Sequence, residues 1–273
     1  MRVVSLMENT GKRDDLHTEH GLSLYIETEH HRILFDTGAS ERFLDNADRL
    51  GVDLAAVDTL VISHGHYDHT GGIPGFLRRN QQAKVYIREN AFAPFYHCSE
   101  TETRFIGIDS IRREHPRLTL TGGNVTIDPE LTLFTQVRGR RCYPETNRKL
   151  KYFDGQDYCQ DDFRHEQNLA ITERRKRVVI SGCSHNGIVN ILDSYHALFH
   201  QMPHVAIGGF HTAGKDEFDP NSVVQLREMA QALRETGTVC YTCHCTGQEP
   251  YAILKEQMGN QIHYLATGEE ICL

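Results

Sequence analysis

Short apolar runs broken by turns fill the start of the chain, and a steady alternation of apolar strand and amphipathic helix fills its end. Met1 to Leu6 reads as a first strand, and Gly21 to Glu27 alternates as a half-buried strand should. His30-His31 reads as a hairpin turn, after which Arg32 to Phe35 leads into Asp36-Thr37-Gly38. Over residues 40–50, Phe43, Leu44, Ala47 and Leu50 share one helical face. Leu60 to Ile62 is a buried strand, Gly71 to Asn80 opens a helix, and Lys84 to Ile87 is another strand. From Arg177 to Ile180 a strand precedes a helix that sets Ile188, Ile191, Leu192, Tyr195, Leu198 and Phe199 at three and four spacing. His204 to Ile207 is a strand. A helix carrying Val223, Leu226, Met229, Ala230 and Leu233 follows, introduced by Pro220-Asn221-Ser222 and stopped by Gly237. Thr238 to Tyr241, a helix near 248–258 and Ile262 to Leu265 complete the pattern, which is that of an α/β protein.

Residues 88–165 are the least regular part, rich in aromatic side chains, with strand-like pieces at Val125 to Ile127 and Leu131 to Phe134. The polar and aromatic stretch 138–162 is long for a loop in a compact domain, which predicts a substrate cover or lid. The expected organisation is one domain over 1–273, with 88–165 as an irregular, aromatic-rich insert or lid within it.

The chemistry concentrates in Ser63-His64-Gly65-His66-Tyr67-Asp68-His69-Thr70-Gly71-Gly72, directly after the Leu60–Ile62 strand. So many polar rings beside a buried strand need a partner, and imidazole with carboxylate is a natural ligand set for zinc and similar ions. In an extended loop, residues two apart project to one side, so His64 and His66 can share an ion. Asp68 and His69 follow the turn and can serve a second. Later strands also end in candidate ligands: His185 after Gly182-Cys183-Ser184, His211 after Gly208-Gly209-Phe210, and His244 between Cys243 and Cys245. Ligands at strand C-termini form a site along one sheet edge. His185 and His244 are expected ligands. His211 is a ligand or a substrate contact, and Cys183 either replaces a bridging carboxylate or is a buried thiol. Cys240, Cys243 and Cys245 are expected to pack beside His244.

Composition narrows the setting. A chain of 273 residues, 39% hydrophobic, suffices for one large domain or two small ones. No apolar stretch is long enough for a membrane span, and the first residues do not read as a signal peptide. A net charge of -8 argues against nucleic acid as the partner. Eight cysteines without a signal peptide suggest free thiols and a cytoplasmic location.

The run His64-x-His66-x-Asp68-His69, preceded by Leu34-Phe35-Asp36-Thr37-Gly38, resembles the metallo-β-lactamase fold superfamily. Glu8-Asn9-Thr10, Glu19-His20-Gly21-Leu22-Ser23, the run Gly182 to Asn190 and Gly209-Phe210-His211 resemble its dihydropteroate-synthase-like branch, named after a methanopterin-pathway dihydropterin synthase. The resemblance runs from the first strand to the last. It implies an αββα sandwich, two mixed sheets face to face with outer helices, and two divalent metal ions, zinc first and manganese or iron otherwise. It implies that His64, His66 and a later histidine hold one ion, and that Asp68, His69 and His244 hold the other. The sequence departs from the commoner pattern in two places. No histidine follows the strand near 131–137, and Cys183 stands at the usual bridging aspartate position. His185 is therefore assigned as the later ligand of the first ion.

These assignments point to a metal-dependent hydrolase acting through metal-bound hydroxide, since a bound ion brings the pKa of water to about 7. Asp68 is the expected catalytic residue, holding its metal or orienting the hydroxide and accepting a proton. Asp36 either hydrogen-bonds a ligand imidazole or caps its turn. Backbone N–H groups at Gly71-Gly72 are candidates to receive an anion. His20, Arg138, Arg140 and the aromatic segment 92–97 are candidate substrate contacts. The expected substrate is a small anionic molecule, a phosphoester, cyclic phosphodiester or related ester. A transferase in pterin-type cofactor synthesis and a non-catalytic ligand-binding protein are the alternatives, and a homodimer is left open.

Overall fold

The computed structural model describes residues 1–213 and 222–273. The chain divides into two compact units, one of residues 1–122, 148–167 and 266–273, the other of 123–147 and 168–265.

The first unit is built on β1 (Arg2–Met7), β2 (Ser23–Glu27), β3 (Arg32–Phe35), β4 (Thr59–Val61), β5 (Lys84–Arg88), β8 (Leu118–Thr121) and β18 (Glu270–Cys272). They form one mixed sheet in the order β18-β1-β2-β3-β4-β5-β8. Pairing is antiparallel from β18 to β3 and parallel from β3 to β8. The parallel register sets Phe35 opposite Val61, so Asp36 emerges beside the residues that follow β4. Three helices belong to this unit: α1 (Arg42–Arg49), α2 (Tyr67–Thr70) and α3 (Ile73–Arg79). Phe43 and Ala47 of α1 and Phe76 of α3 pack with Leu34, Leu60, Ile62 and Val85 in one buried cluster. The predicted face of α1 is thus the packed one. Tyr67–Thr70, which carry Asp68 and His69, form a short helix ahead of the one expected from Gly71.

The stretch 88–165, expected to be irregular, carries a four-stranded antiparallel sheet. Its strands are β6 (Phe95–Cys98), β7 (Thr103–Phe105), β11 (Leu150–Phe153) and β12 (Tyr158–Gln160), ordered β12-β11-β6-β7. Cross-strand aromatic contacts hold it, Tyr96 against both Phe105 and Tyr158. The aromatic side chains that obscured the pattern are the packing of this sheet.

The second unit holds β9 (Val125–Thr126), β10 (Leu131–Phe134), β13 (Asn168–Glu173), β14 (Lys176–Ile180), β15 (Val205–Gly208), β16 (Val239–Thr242) and β17 (Ile262–Tyr264), in the order β17-β16-β15-β14-β13-β10-β9. β14 to β17 run parallel, and the helices α4 (Ile188–Phe199), α5 (Val223–Thr236) and α6 (Gln248–Met258) follow β14, β15 and β16. Ile188, Leu192, Leu226, Met229, Leu233 and Leu254 bury against Ala206 and Cys240. Leu198, expected on the packed face of α4, is 41% exposed. Pro220 and Asn221, expected to introduce α5, lie outside the described residues, and Gly237 in a left-handed conformation (φ 72°) ends it as predicted. Among the described residues no helix is long and apolar enough to cross a membrane, and none of the eight cysteines is in a disulfide.

Candidate metal centre

In the first unit the loop after β4 carries the histidine run. His64, His66, Asp68 and His69 are all buried, none more than 6% exposed. Asp36, just past β3 and left-handed (φ 59°), organises them. One carboxylate oxygen accepts the Ser63 N–H at 2.7 Å, and the other accepts the Ser63 hydroxyl at 2.6 Å and His69 Nδ1 at 2.7 Å. The hydroxyl has one proton, and it goes to Asp36. Ser63 Oγ therefore accepts from His64 Nδ1 at 2.8 Å. The protons of His64 and His69 are both placed on Nδ1, which turns each Nε2 into a ligand atom. His64 Nε2 lies 3.1 Å from His66 Nδ1. A tetrahedral ion with nitrogens at about 2.05 Å spaces them by about 3.3 Å, so this pair fits the edge of a coordination polyhedron. His69 Nε2 lies 3.6 Å from Asp68 Oδ2, which also meets His20 Nε2 at 3.3 Å. The His20 ring is oriented in turn by Asn9 at 3.3 Å.

Burial lowers the His66 imidazole to about 3, and nearby His165 adds to the effect against the opposing pull of Asp68 and Asp161. His66 is therefore neutral at physiological pH, the state that ligates metal. The donor set, neutral imidazoles with one carboxylate, fits a divalent ion such as zinc.

The sequence reading missed two members of this neighbourhood. His165 and Asp161 are 1% and 3% exposed, and their ligand atoms lie within 4.8 Å of each other and of one from His66. They sit at the end of the stretch 88–165 that the sequence pattern left irregular, just before β13. Burial opposes ionisation of Asp161, but His165 beside it outweighs that and holds the carboxyl below its usual range. A cavity of ≈ 370 Å³ in this unit is lined by Phe92, Phe95, Arg113, Tyr152, Arg164 and His165 among others. Two of these come from the 92–97 segment. The expected anion site at Gly71-Gly72 is not available in full, because Gly71 N–H is bonded to the Gly38 and Tyr67 carbonyls.

In the second unit the ends of β14, β15 and β16 bring Cys183, His211 and Cys245 together, with one ligand atom of each within 4.8 Å of the others. Three loop residues here, Ser184, His211 and His244, are left-handed at φ 51° to 56°. His185 is 1% exposed, and Asn147 holds it twice, through Nδ1 at 3.1 Å and through its carbonyl at 2.7 Å. That contact also puts the proton on Nδ1 and makes Nε2 the candidate ligand atom; Asn147 had no local signal in the sequence. His185 and His211 rings meet at 4.2 Å. His244 is 1% exposed. Burial opposes ionisation of Cys245, but Cys183, His211 and His244 outweigh it and hold the thiol well below its ordinary range. Burial alone pushes Cys240 up to about 12. Arg138 and Arg140 are exposed, and Arg140 lies 4.6 Å over the Tyr143 ring.

A family profile described as the metallo-beta-lactamase superfamily matches residues 18–140, the stretch that holds Asp36 and the whole His64–His69 run. Together with a full-length match to a solved structure, this shows the metallo-β-lactamase fold in this chain. The solved structure is that of a metal-dependent hydrolase of the beta-lactamase superfamily, with 27% identity and a TM-score of 0.83, covering 100% of this chain and 99% of that one. Among named relatives, the 7,8-dihydropterin-6-methyl-4-(beta-D-ribofuranosyl)-aminobenzene-5'-phosphate synthase of Methanocaldococcus jannaschii is 26% identical over 99% of this chain and 96% of its own length. An uncharacterized protein of the same organism is 28% identical over 97% of this chain and 98% of its own.

Proposed function

We propose that this protein is a metal-dependent hydrolase of small anionic esters, with phosphoesters and cyclic phosphodiesters as the first substrate class. The carrying observation is the Asp36-Ser63 arrangement, which fixes the tautomers of His64 and His69 and leaves His64 Nε2 and His66 Nδ1 3.1 Å apart. Two divalent ions, zinc first, are assigned to the ligands read from the motifs: His64, His66 and His185 for one, Asp68, His69 and His244 for the other. An ion of this kind acidifies a bound water and polarises a substrate oxygen. Asp68, whose carboxylate lies 3.3 Å from His20 Nε2 and 3.6 Å from His69 Nε2, would help hold the metal and would serve as the proton acceptor. The cavity beside Phe95 and Tyr152 offers ring faces to a flat substrate and Arg113 to its anionic group.

The full-length similarity to a dihydropterin synthase favours a second reading, a transferase of pterin-type synthesis using the same ligands. Elemental analysis of purified protein, with His64→Ala and His66→Ala beside it, tests the shared part. About two ions per chain, reduced in each variant, are expected. A folded wild-type chain that takes up no Zn²⁺ sinks both readings. Turnover of bis-(p-nitrophenyl) phosphate by the loaded protein, lost in His64→Ala, then favours hydrolysis. Turnover only with a pterin diphosphate and an aminobenzoate acceptor reverses the order.

A further inference from the structure

We propose that His165 is a positioning residue that sets the metal-binding loop by holding the peptide between His64 and His66, and that Asp161 holds His165 in the tautomer this requires; the inference rests on the metal-binding reading above.

Gly65 N–H donates to His165 Nδ1 at 3.0 Å, so Nδ1 carries no proton. The ring proton is on Nε2 and goes to Asp161 Oδ2 at 3.0 Å. The other Asp161 oxygen accepts the Phe163 N–H at 2.8 Å. Both ring nitrogens are therefore committed. His165 is close enough to His66 to look like a ligand, yet it has no lone pair to give. The ring is fixed in plane by Phe95, stacked on it at 4.0 Å.

Neighbouring residues hold the same loop from the same side. Gln167 N–H donates to Ser63 O at 2.8 Å, and its side-chain amide donates to Ile62 O at 2.8 Å and Tyr86 O at 3.2 Å. Thr121 Oγ1 donates to Gln167 Oε1 at 2.8 Å. Arg88 anchors the segment by donating to Arg164 O at 3.2 Å and Thr121 O at 2.6 Å. Residues 62, 63 and 65 are thus all tied to 161–167, on both sides of His64. The loop is also tightly packed at Gly65, where an added Cβ would lie 2.2 Å from Ala91 O. The backbone that relates His64 to His66 is thus hydrogen-bonded to His165 and closely packed against Ala91. Of these ties, the His165 bond is the one that sets the orientation of that peptide, and ligand geometry depends on such support.

Two substitutions separate the roles. His165→Asn puts an amide oxygen near the position of Nδ1 and keeps an acceptor for Gly65. His165→Gln reaches the position of Nε2, keeps a partner for Asp161 and loses the Gly65 acceptor. The readout is Zn²⁺ affinity, by competition with a chromophoric chelator, alongside urea unfolding of the metal-free chains. His165→Gln is expected to lose about 10-fold or more in Zn²⁺ affinity, and His165→Asn to stay within about 3-fold of wild type. A merely structural histidine would shift the urea midpoint of both and leave the affinity of the folded protein unmoved. Equal affinities for wild type and His165→Gln, or losses as large in His165→Asn, overturn the positioning role and leave the metal centre standing. A wild-type chain that binds no Zn²⁺ overturns both.

Discussion

Removing the Asp36 carboxylate is the sharpest test of how the loop is held. Asp36 accepts three buried donors, Ser63 N–H, the Ser63 hydroxyl and His69 Nδ1, at 2.6–2.7 Å, and is itself fully buried. In Asp36→Ala all three lose their acceptor. An unsatisfied buried donor costs about 1–3 kcal/mol; with some relaxation of the Ser63 rotor, about 3–6 kcal/mol is expected. The left-handed backbone at φ 59° adds about 1 kcal/mol for alanine, which tolerates that region less well than Asp or Asn. The sum is a large part of a typical stability of about 5–15 kcal/mol. Asp36→Asn keeps the backbone preference and one acceptor, placed for Ser63 N–H, and turns its amino group toward the remaining donors. His69 can answer by shifting its proton to Nε2, so about 1–3 kcal/mol is expected. Urea unfolding of metal-free protein, followed by far-ultraviolet circular dichroism with an unchanged m-value, measures both. The same tautomer shift takes away the His69 ligand atom, so Asp36→Asn also lowers Zn²⁺ affinity. An Asp36→Ala cost below about 1 kcal/mol, or an Asn variant no more stable than the Ala variant, would refute the account.

Gly65→Ala forces a Cβ against Ala91 O at 2.2 Å and the Phe95 ring at 2.9 Å, so a loss of about 1–3 kcal/mol with weaker Zn²⁺ binding is expected by the same assays. Asn147→Ala removes both hydrogen bonds that Asn147 makes to the buried His185, for a loss of about 1–3 kcal/mol in urea. Cys240, raised to about 12 by burial, stays unmodified by iodoacetamide at alkaline pH while exposed Cys272 reacts, as peptide mass mapping would reveal. Its folded pKa lies above the unfolded value, so its contribution is fully present below about pH 9 and is lost as pH rises toward 12, a fall of about 1.4 kcal/mol per pH unit across that window, which Cys240→Ala should abolish.

The histidine run was legible because its members are neighbours in sequence, and the same compactness made the superfamily recognisable. The helices α1, α4 and α5 were legible for a related reason: their packed faces repeat at a fixed local spacing, so Phe43 with Ala47, or Leu226 with Met229 and Leu233, announce themselves. Leu198 and the residues of β11 and β12 did not. A periodic apolar residue at a helix end has no local mark of whether anything covers it. Strand pairing between β11 and β6 joins segments more than fifty residues apart, and no short window contains both.

The sequence by itself determined the fold class, most of the strand and helix order over residues 1–87 and 177–265, and the candidate ligands His64, His66, Asp68, His69, His185 and His244; it missed β18, which pairs with β1. It offered Asp36 two roles, and only the parallel register of β3 and β4 put that carboxylate against Ser63 and His69. Asn147 and His165 were invisible because their partners lie 38 and 100 residues away, and Asp161 because its role depends on where His165 is held. The tertiary structure decided their burial, and burial is what turns an ordinary polar side chain into one that must choose a partner and keep it.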